Sequence, residues 1–229
     1  MREAQTPRAS HDSAGPITDV PETHPITSRT EIHHGRVWDV ASETFDYDGT
    51  SITREVILHP GAVAILALDD QDRALLIRQY RHPIRARAWE IPAGLLDMAG
   101  EPPLAAAQRE LGEEADLAAA TWHVLADFAN TPGGSDETIR IYLARDVSAL
   151  PAFERHDEEA DIEVRWVPLD DVVDAVLTRR VQSPSLVVGA LAAQAARARD
   201  WATLAPGDEP WLRHPAIGGP PWGPHAHHR

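Results

Sequence analysis

Residues 94–117 read GLLDMAGEPPLAAAQRELGEEADL, and the organisation of the chain follows from this stretch. A proline pair, Pro102 and Pro103, opens a run rich in helix formers, as the preference for proline in a first helical turn predicts. An α-helix advances about 3.6 residues per turn, so residues three and four apart share a face. Glu110, Glu113 and Glu114 therefore stand together, while Leu104, Ala107, Leu111 and Ala115 form an opposed apolar stripe. Like charges at that spacing cost a helix about 0.2–0.5 kcal/mol per pair. An acidic helix face can simply be solvated. It can also be kept for a shared cation, and clustered hard oxygen donors suit magnesium or manganese.

Outward from this helix, composition narrows the possibilities. A chain of 229 residues suits one domain, or one with a smaller appendage. The net charge is -15, from 21 basic and 36 acidic residues, and every basic residue is Arg. Such a surface repels nucleic acid and anionic membrane, so neither is an expected partner. With no Cys there is no disulfide, thiolate nucleophile or cysteine zinc site. The first residues lack the apolar core of a signal peptide, and no window approaches the ~18 apolar residues of a membrane span. A cytoplasmic protein is the expectation.

Residues 1–28 are Pro-, Ser- and Thr-rich without apolar periodicity and read as a disordered leader. Residues 29–60 read as a small β-subdomain, with strands expected at 35–40, 43–47 and 52–58 and a hairpin turn at Asp48-Gly49. A hairpin of that size is not stable alone, so it must pack on the main domain or on a second copy. Residues 61–204 form the main domain. Its apolar run 62–68 suits a buried strand, and further strands are expected at 74–80, 118–128, 138–144 and 163–167. Helices are expected at 170–179 and 185–201, and residues 205–229 read as an irregular tail.

Gly94, Glu101, Arg109-Glu110, the aliphatic Leu111 and Glu113-Glu114 together resemble the Nudix box, G-x5-E-x7-R-E-U-x-E-E-x-G-U, where U is a bulky aliphatic residue. Two departures stand out. Six residues, 95–100, lie between Gly94 and Glu101, and Asp116 replaces the last Gly. Asp tolerates the left-handed conformation well enough to close a helix, and an extra loop residue costs little. The resemblance implies an α/β fold, the α+β Nudix sandwich, with a mixed β-sheet between helices. The N-terminal antiparallel β-subdomain resembles the small sheet that ADP-ribose pyrophosphatases of this superfamily exchange across a homodimer.

The resemblance also implies roles. Glu110 and Glu114 are the firmest expected metal ligands, joined by Glu113 and the carbonyl of Ala93, and Arg109 orients a box carboxylate. Magnesium is the expected ion, with manganese as the alternative. The catalytic base is expected in the acidic run 156–161, at Glu158 or Glu159; the residues alone do not choose between them. Arg78-Gln-Tyr-Arg81-His-Pro83 and Trp89-Glu90-Ile-Pro-Ala-Gly94 match patterns of ADP-ribose and ADP-sugar hydrolases, which implicates Arg78, Arg81 and Glu90 in binding substrate. Pro132 falls sixteen residues past Asp116 (132 − 116 = 16), as in the ADP-ribose subgroup. Gly133, Gly134 and Glu137 match its P-G-G-x-x-E loop, where the Glu is expected near the terminal ribose. Trp38 is open to two readings, an adenine stack with Arg54 as neighbour or ordinary packing.

The expected activity is metal-dependent hydrolysis of ADP-ribose to AMP and ribose 5-phosphate. Another nucleoside diphosphate-sugar or NADH is the alternative substrate. A non-catalytic ADP-ribose sensor is the alternative of another class, although such regulators usually lose box carboxylates that are all present here. Cleansing of nucleoside triphosphates fits less well, because the small enzymes that do it generally lack both the N-terminal hairpin and the Pro132 loop.

Overall fold

Strand periodicity and two turn signals shape the N-terminal part. The computed structural model describes residues 15–153, 162–212 and 214. Strands β1 (Ile26–His34), β2 (Asp39–Tyr47) and β3 (Thr50–Leu58) form a three-stranded antiparallel sheet in that order. Tyr47 pairs with Thr50 across Asp48 and Gly49, whose φ values are 51° and 81°. Positive φ at both central residues is what a two-residue hairpin demands, and Asp-Gly meets it cheaply. Two sequence expectations are corrected here. The first strand begins at Ile26, inside the stretch read as leader, and residues 35–38 form its connection to β2 rather than a strand. Strand β1 is too polar to show an apolar alternation, and it is held to β2 by strand pairing, an Arg29–Glu43 ion pair at 3.2 Å and the Thr27 hydroxyl, which donates to the Thr44 carbonyl at 3.1 Å. All nine of its residues are exposed.

The main domain continues with β4 (Ala62–Ala67), β5 (Arg73–Arg81), a 3-10 turn at His82–Ile84, β6 (Ala86–Glu90) and β7 (Ala93–Leu95). Then come α1 (Pro103–Ala115), β8 (Leu117–Ala129), β9 (Thr138–Ala149), β10 (Glu163–Pro168), α2 (Leu169–Leu177), α3 (Pro184–Arg197) and β11 (Ala205–Pro206). One sheet runs β11-β8-β9-β4-β7, mixed because β4 and β9 are parallel; a second runs β10-β5-β6. Strand β4 is buried along its whole length, and alternation divides it between two cores. Val63, Ile65 and Ala67 pack with Tyr142 of β9 against Ala107 and Leu111 of α1. Ala64 and Leu66 pack with Ile141 and Leu143 against Val172 of α2 and Leu186 and Ala190 of α3. Burying a Leu or Ile side chain is worth about 1.5–3 kcal/mol, so these facing rows hold the helices to opposite sides of the sheet. No helix among the described residues is long and apolar enough to cross a membrane.

The tail is less irregular than its composition implies. Strand β11 pairs with β8, and Trp211 is buried. Arg140 of β9 is the anchor: Nε and Nη2 each donate to Asp127 at 2.8 Å, and Nη1 donates to the Glu209 carbonyl at 2.5 Å. Its guanidinium also lies 4.9 Å from the centre of the Trp211 ring. No local periodicity announces this clamp, because Arg140 and Trp211 are far apart in sequence.

The N-terminal sheet meets the main domain through the loop before β9. The Ile57 N–H donates to the Gly134 carbonyl at 2.9 Å, and the Asp136 N–H donates to the Ile57 carbonyl at 3.2 Å. The loop expected to bear substrate contacts is thereby tied to the end of β3.

Candidate active site

The site is built where β7 runs beside α1. Strand β7 pairs with β4, placing Gly94 opposite Val63, and Gly94 then faces the helix. A Cβ on Gly94 would lie 2.0 Å from both Cδ and Oε1 of Glu110. The Glu110 carboxylate rests in that space, so any larger residue would have to displace it. Glu114, one turn further, is buried and accepts a hydrogen bond from the Ala93 N–H at 2.9 Å. Ala93, Gly94, Glu110 and Glu114, separated in sequence, are thus one cluster.

Arg109 binds the rest of the cluster. Its Nε and Nη2 donate to the two oxygens of Glu101, each at 3.0 Å. Its Nη1 donates to Glu110 at 2.7 Å and to Glu113 at 3.0 Å. Glu101, and after it Glu110 and Glu113, hold the Arg109 guanidinium well above its usual range, against the opposing effect of burial. Gly100, immediately before Glu101, adopts φ 78°. Helix α1 closes at Asp116 with φ 54° and ψ 38°. The Asp116 side chain accepts the Phe153 N–H at 2.7 Å, so the residue in place of the last box Gly also fastens the chain after β9.

Arg109 in turn holds the Glu101 carboxyl below its ordinary value of 4.5. A depressed carboxylate contributes stability above its unfolded pKa and loses it as pH falls through the lower folded pKa. The Tm advantage of the wild type over Glu101→Gln is therefore expected to be full at neutral pH and to shrink once pH drops below about 4.5. Thermal melts of both proteins from pH 7 to 3 check it; a gap that widens in acid contradicts the pairing.

Three carboxylates, Glu101, Glu110 and Glu113, accept from the one guanidinium of Arg109, and a fourth, Glu114, accepts from the Ala93 N–H. The surplus negative charge is carried by hard oxygen donors, and that donor set fits a divalent cation of the magnesium type. Among the described residues, no three acidic or imidazole groups converge on one point.

Beside the cluster opens a cleft of about 930 Å³, within the usual range for ligand pockets. Of the residues expected to bind substrate, Trp38, Arg81, Glu90 and Glu137 line it. Trp38 is 49% exposed, so it is not packed into a core. Arg81 and Glu90 face each other across β5 and β6, with Nε to Oε1 at 2.9 Å and Nη2 to Oε2 at 2.7 Å. Arg78 is placed elsewhere: it pairs with Glu163 at 2.6 Å and lies 5.2 Å from the Trp89 ring centre. Arg81 lies three positions further along the strand, and an odd offset in a strand puts two side chains on opposite faces. Arg54 is exposed on β3 and donates to the Thr53 carbonyl at 2.8 Å, away from the cleft. Pro132 is exposed and Gly134 half-buried in the loop that borders the cleft. A Cβ on Gly134 would meet nothing within 4 Å, so no contact inside the chain requires glycine there. Glu158 and Glu159 lie outside the described residues.

Sequence reasoning missed several lining residues. His59 and Asn130 flank Glu137, and Gln182 to Ser185 bring the start of α3 to the cleft wall. The N-terminus of a helix carries partial positive charge, which suits phosphate. His59 sits in a His-Pro-Gly turn and Ser183 before a proline, so each resembles ordinary punctuation until the fold closes.

The NUDIX domain model matches residues 58–186, from the end of β3 to the first turn of α3. The chain is 41% identical over 191 residues to the ADP-ribose pyrophosphatase of Mycobacterium tuberculosis, covering 83% of this chain and 91% of that protein. It is 36% identical over 155 residues to the ADP-ribose pyrophosphatase of Bacillus subtilis, covering 67% of this chain and 83% of that one. A crystal structure described as an ADP compounds hydrolase superposes with a TM-score of 0.68 at 21% identity, over 80% of this chain and 98% of that chain, and so shares its fold. Enzymes of this kind depend in general on a divalent metal. With its box carboxylates gathered at Gly94 beneath a cleft, the chain belongs to the Nudix family and is a Nudix hydrolase acting on pyrophosphate bonds.

Proposed function

We propose that this protein hydrolyses the diphosphate of ADP-ribose, giving AMP and ribose 5-phosphate, with Mg2+ as its ion and Mn2+ as a substitute. The observation that carries the reading is the Glu110 carboxylate seated on Gly94 beside a cleft that Trp38 and Glu137 also line. The names of the two curated relatives support the substrate.

Water attacks one phosphorus and the bridging P–O bond breaks, so the two monophosphates carry between them the atoms of one water. Glu110, Glu113 and Glu114, with the Ala93 carbonyl, would hold the cation, which when bound neutralises charge on the diphosphate oxygens. Arg109 keeps its proton and its grip on Glu101, Glu110 and Glu113, which fixes the carboxylates before substrate arrives. Arg81, braced by Glu90, presents N–H groups to phosphate or ribose oxygens. The α3 N-terminus adds partial positive charge, and Trp38 offers its ring to the adenine. The base would be Glu158 or Glu159.

The purified protein with magnesium is tested on ADP-ribose, an ADP-hexose, NADH and a nucleoside triphosphate. AMP and ribose 5-phosphate, formed fastest from ADP-ribose, is the expected result. Faster turnover of another diphosphate would keep the chemistry and reject the substrate. ADP-ribose bound without turnover of any of them would favour a sensor.

The fully exposed strand β1 and the Arg54 side chain that does not reach its own cleft support a dimer in which the N-terminal sheets are exchanged. Light scattering is expected to give twice the 25.1 kDa chain mass. A fully active monomer would reject the exchange.

A further inference from the structure

His59 sits between β3 and β4, with its side chain 11% exposed, and it is bonded at both ends of the residue. Its backbone N–H donates to Asp136 Oδ1 at 2.7 Å. Its ring Nδ1 accepts the N–H of Gly61 at 3.0 Å. Gly61 adopts φ 86°, a conformation that side-chain-bearing residues rarely take, so this N–H is presented by a turn that needs glycine. A ring nitrogen that accepts a hydrogen bond carries no proton, which leaves the proton of the neutral imidazole on Nε2. Nε2 faces Glu137, 3.8 Å from Oε1. The other oxygen of Glu137 accepts Asn130 Nδ2 at 2.7 Å. A hydrogen bond from Nε2 to Glu137 closes with about 1 Å of movement, a common tightening when a ligand arrives.

We propose that His59 is a positioning residue for substrate recognition. The backbone locks its ring as the Nε2–H tautomer, and His59 and Asn130 then hold the Glu137 carboxylate from two sides. A carboxylate so held keeps a set direction, which suits it to accept hydrogen bonds from the hydroxyls of a sugar attached to the diphosphate. The identity of that sugar rests on the function proposed above; the tautomer and its coupling to Glu137 do not.

The test separates the two ends of the ring. His59→Asn keeps an oxygen near the place of Nδ1, able to accept from Gly61, and removes the donor facing Glu137. His59→Gln places an amide donor near the position of Nε2. With the diphosphate that the wild type turns over best, His59→Asn is expected to raise KM about 10-fold, the effect of losing one hydrogen bond to a charged group. Its kcat is expected to fall by no more than about threefold, and His59→Gln recovers most of the KM. In a Glu137→Gln background, His59→Asn adds no further rise in KM. Additive effects of the two substitutions, or an unchanged KM with only a lowered Tm, would overturn the proposal. Nitrogen NMR of labelled histidines reads the tautomer without substrate, the His59 signals being those missing in His59→Asn. A protonated Nε2 and bare Nδ1 at neutral pH is expected; the opposite tautomer, or a doubly protonated ring, would overturn it. Failure of the wild type to cleave ADP-ribose, with the tautomer and coupling intact, would reject only the sugar assignment.

Discussion

Glu114→Gln is expected to lower kcat about 1,000-fold while leaving the Tm within a few degrees of wild type. The magnitude is the several kcal/mol that charge stabilisation at a diphosphate supplies, at about 1.36 kcal/mol for each tenfold change in rate. The fold survives because Gln preserves the volume of a buried side chain and its amide oxygen can still accept the Ala93 N–H. What disappears is one of four carboxylate charges opposed by a single guanidinium. Turnover, thermal melting and a magnesium titration together make the measurement. Turnover and magnesium affinity both equal to wild type would remove Glu114 from the metal site. A large loss of Tm would instead assign Glu114 a structural role at β7.

Gly94→Ala is the second large effect, and it reaches the same chemistry through sterics alone. The added Cβ would fall 2.0 Å from Cδ and Oε1 of Glu110, a distance no pair of heavy atoms tolerates. The obstructing atoms are the end of a flexible side chain, so the protein yields by turning Glu110 aside rather than by moving β7. Stability is expected to change by no more than about 1–3 kcal/mol, the usual cost of overpacking. Activity is expected to fall about 100-fold, because displacing a reacting group by ~1 Å costs that much. Paired kcat and Tm measurements check this. Wild-type turnover in Gly94→Ala would mean that the placement of Glu110 is not critical. The substitution removes no charge and no hydrogen-bonding group, so it tests position independently of the charge removed in Glu114→Gln.

Much of the scaffold was legible because it rests on local rules. The buried strand at 62–67, the hairpin at Asp48-Gly49 and the helix opened by Pro103 each follow from periodicity or backbone preference within a few residues. The box carboxylates were legible too, since helical spacing alone puts Glu110, Glu113 and Glu114 on one face. The leader boundary and the polar first strand were not, because β1 buries nothing and is defined only by its partner β2. The clamp of Arg140 on Asp127, Glu209 and Trp211 joins groups from three parts of the chain, which no window of sequence displays.

Pairing across strands decided the substrate side of the cleft. Arg78 and Arg81 look equivalent in an arginine-rich run, yet one stacks on Trp89 beside Glu163 while the other pairs with Glu90 in the cleft. Strand alternation separates the two arginines, but only the pairing of β5 with β6 and β10 shows which face is the cleft. The turn at His59 likewise acquires a chemical role only when the loop before β9 closes over it and brings Glu137 to its ring. By itself the sequence determined the buried strand β4, the Asp48-Gly49 hairpin, the helices and the acidic helix face, because these depend on backbone preference and on the period of apolar residues. Tertiary structure alone decided which arginine, which histidine and which helix end line the cleft, because those depend on strand pairing and loop closure between residues distant in the chain.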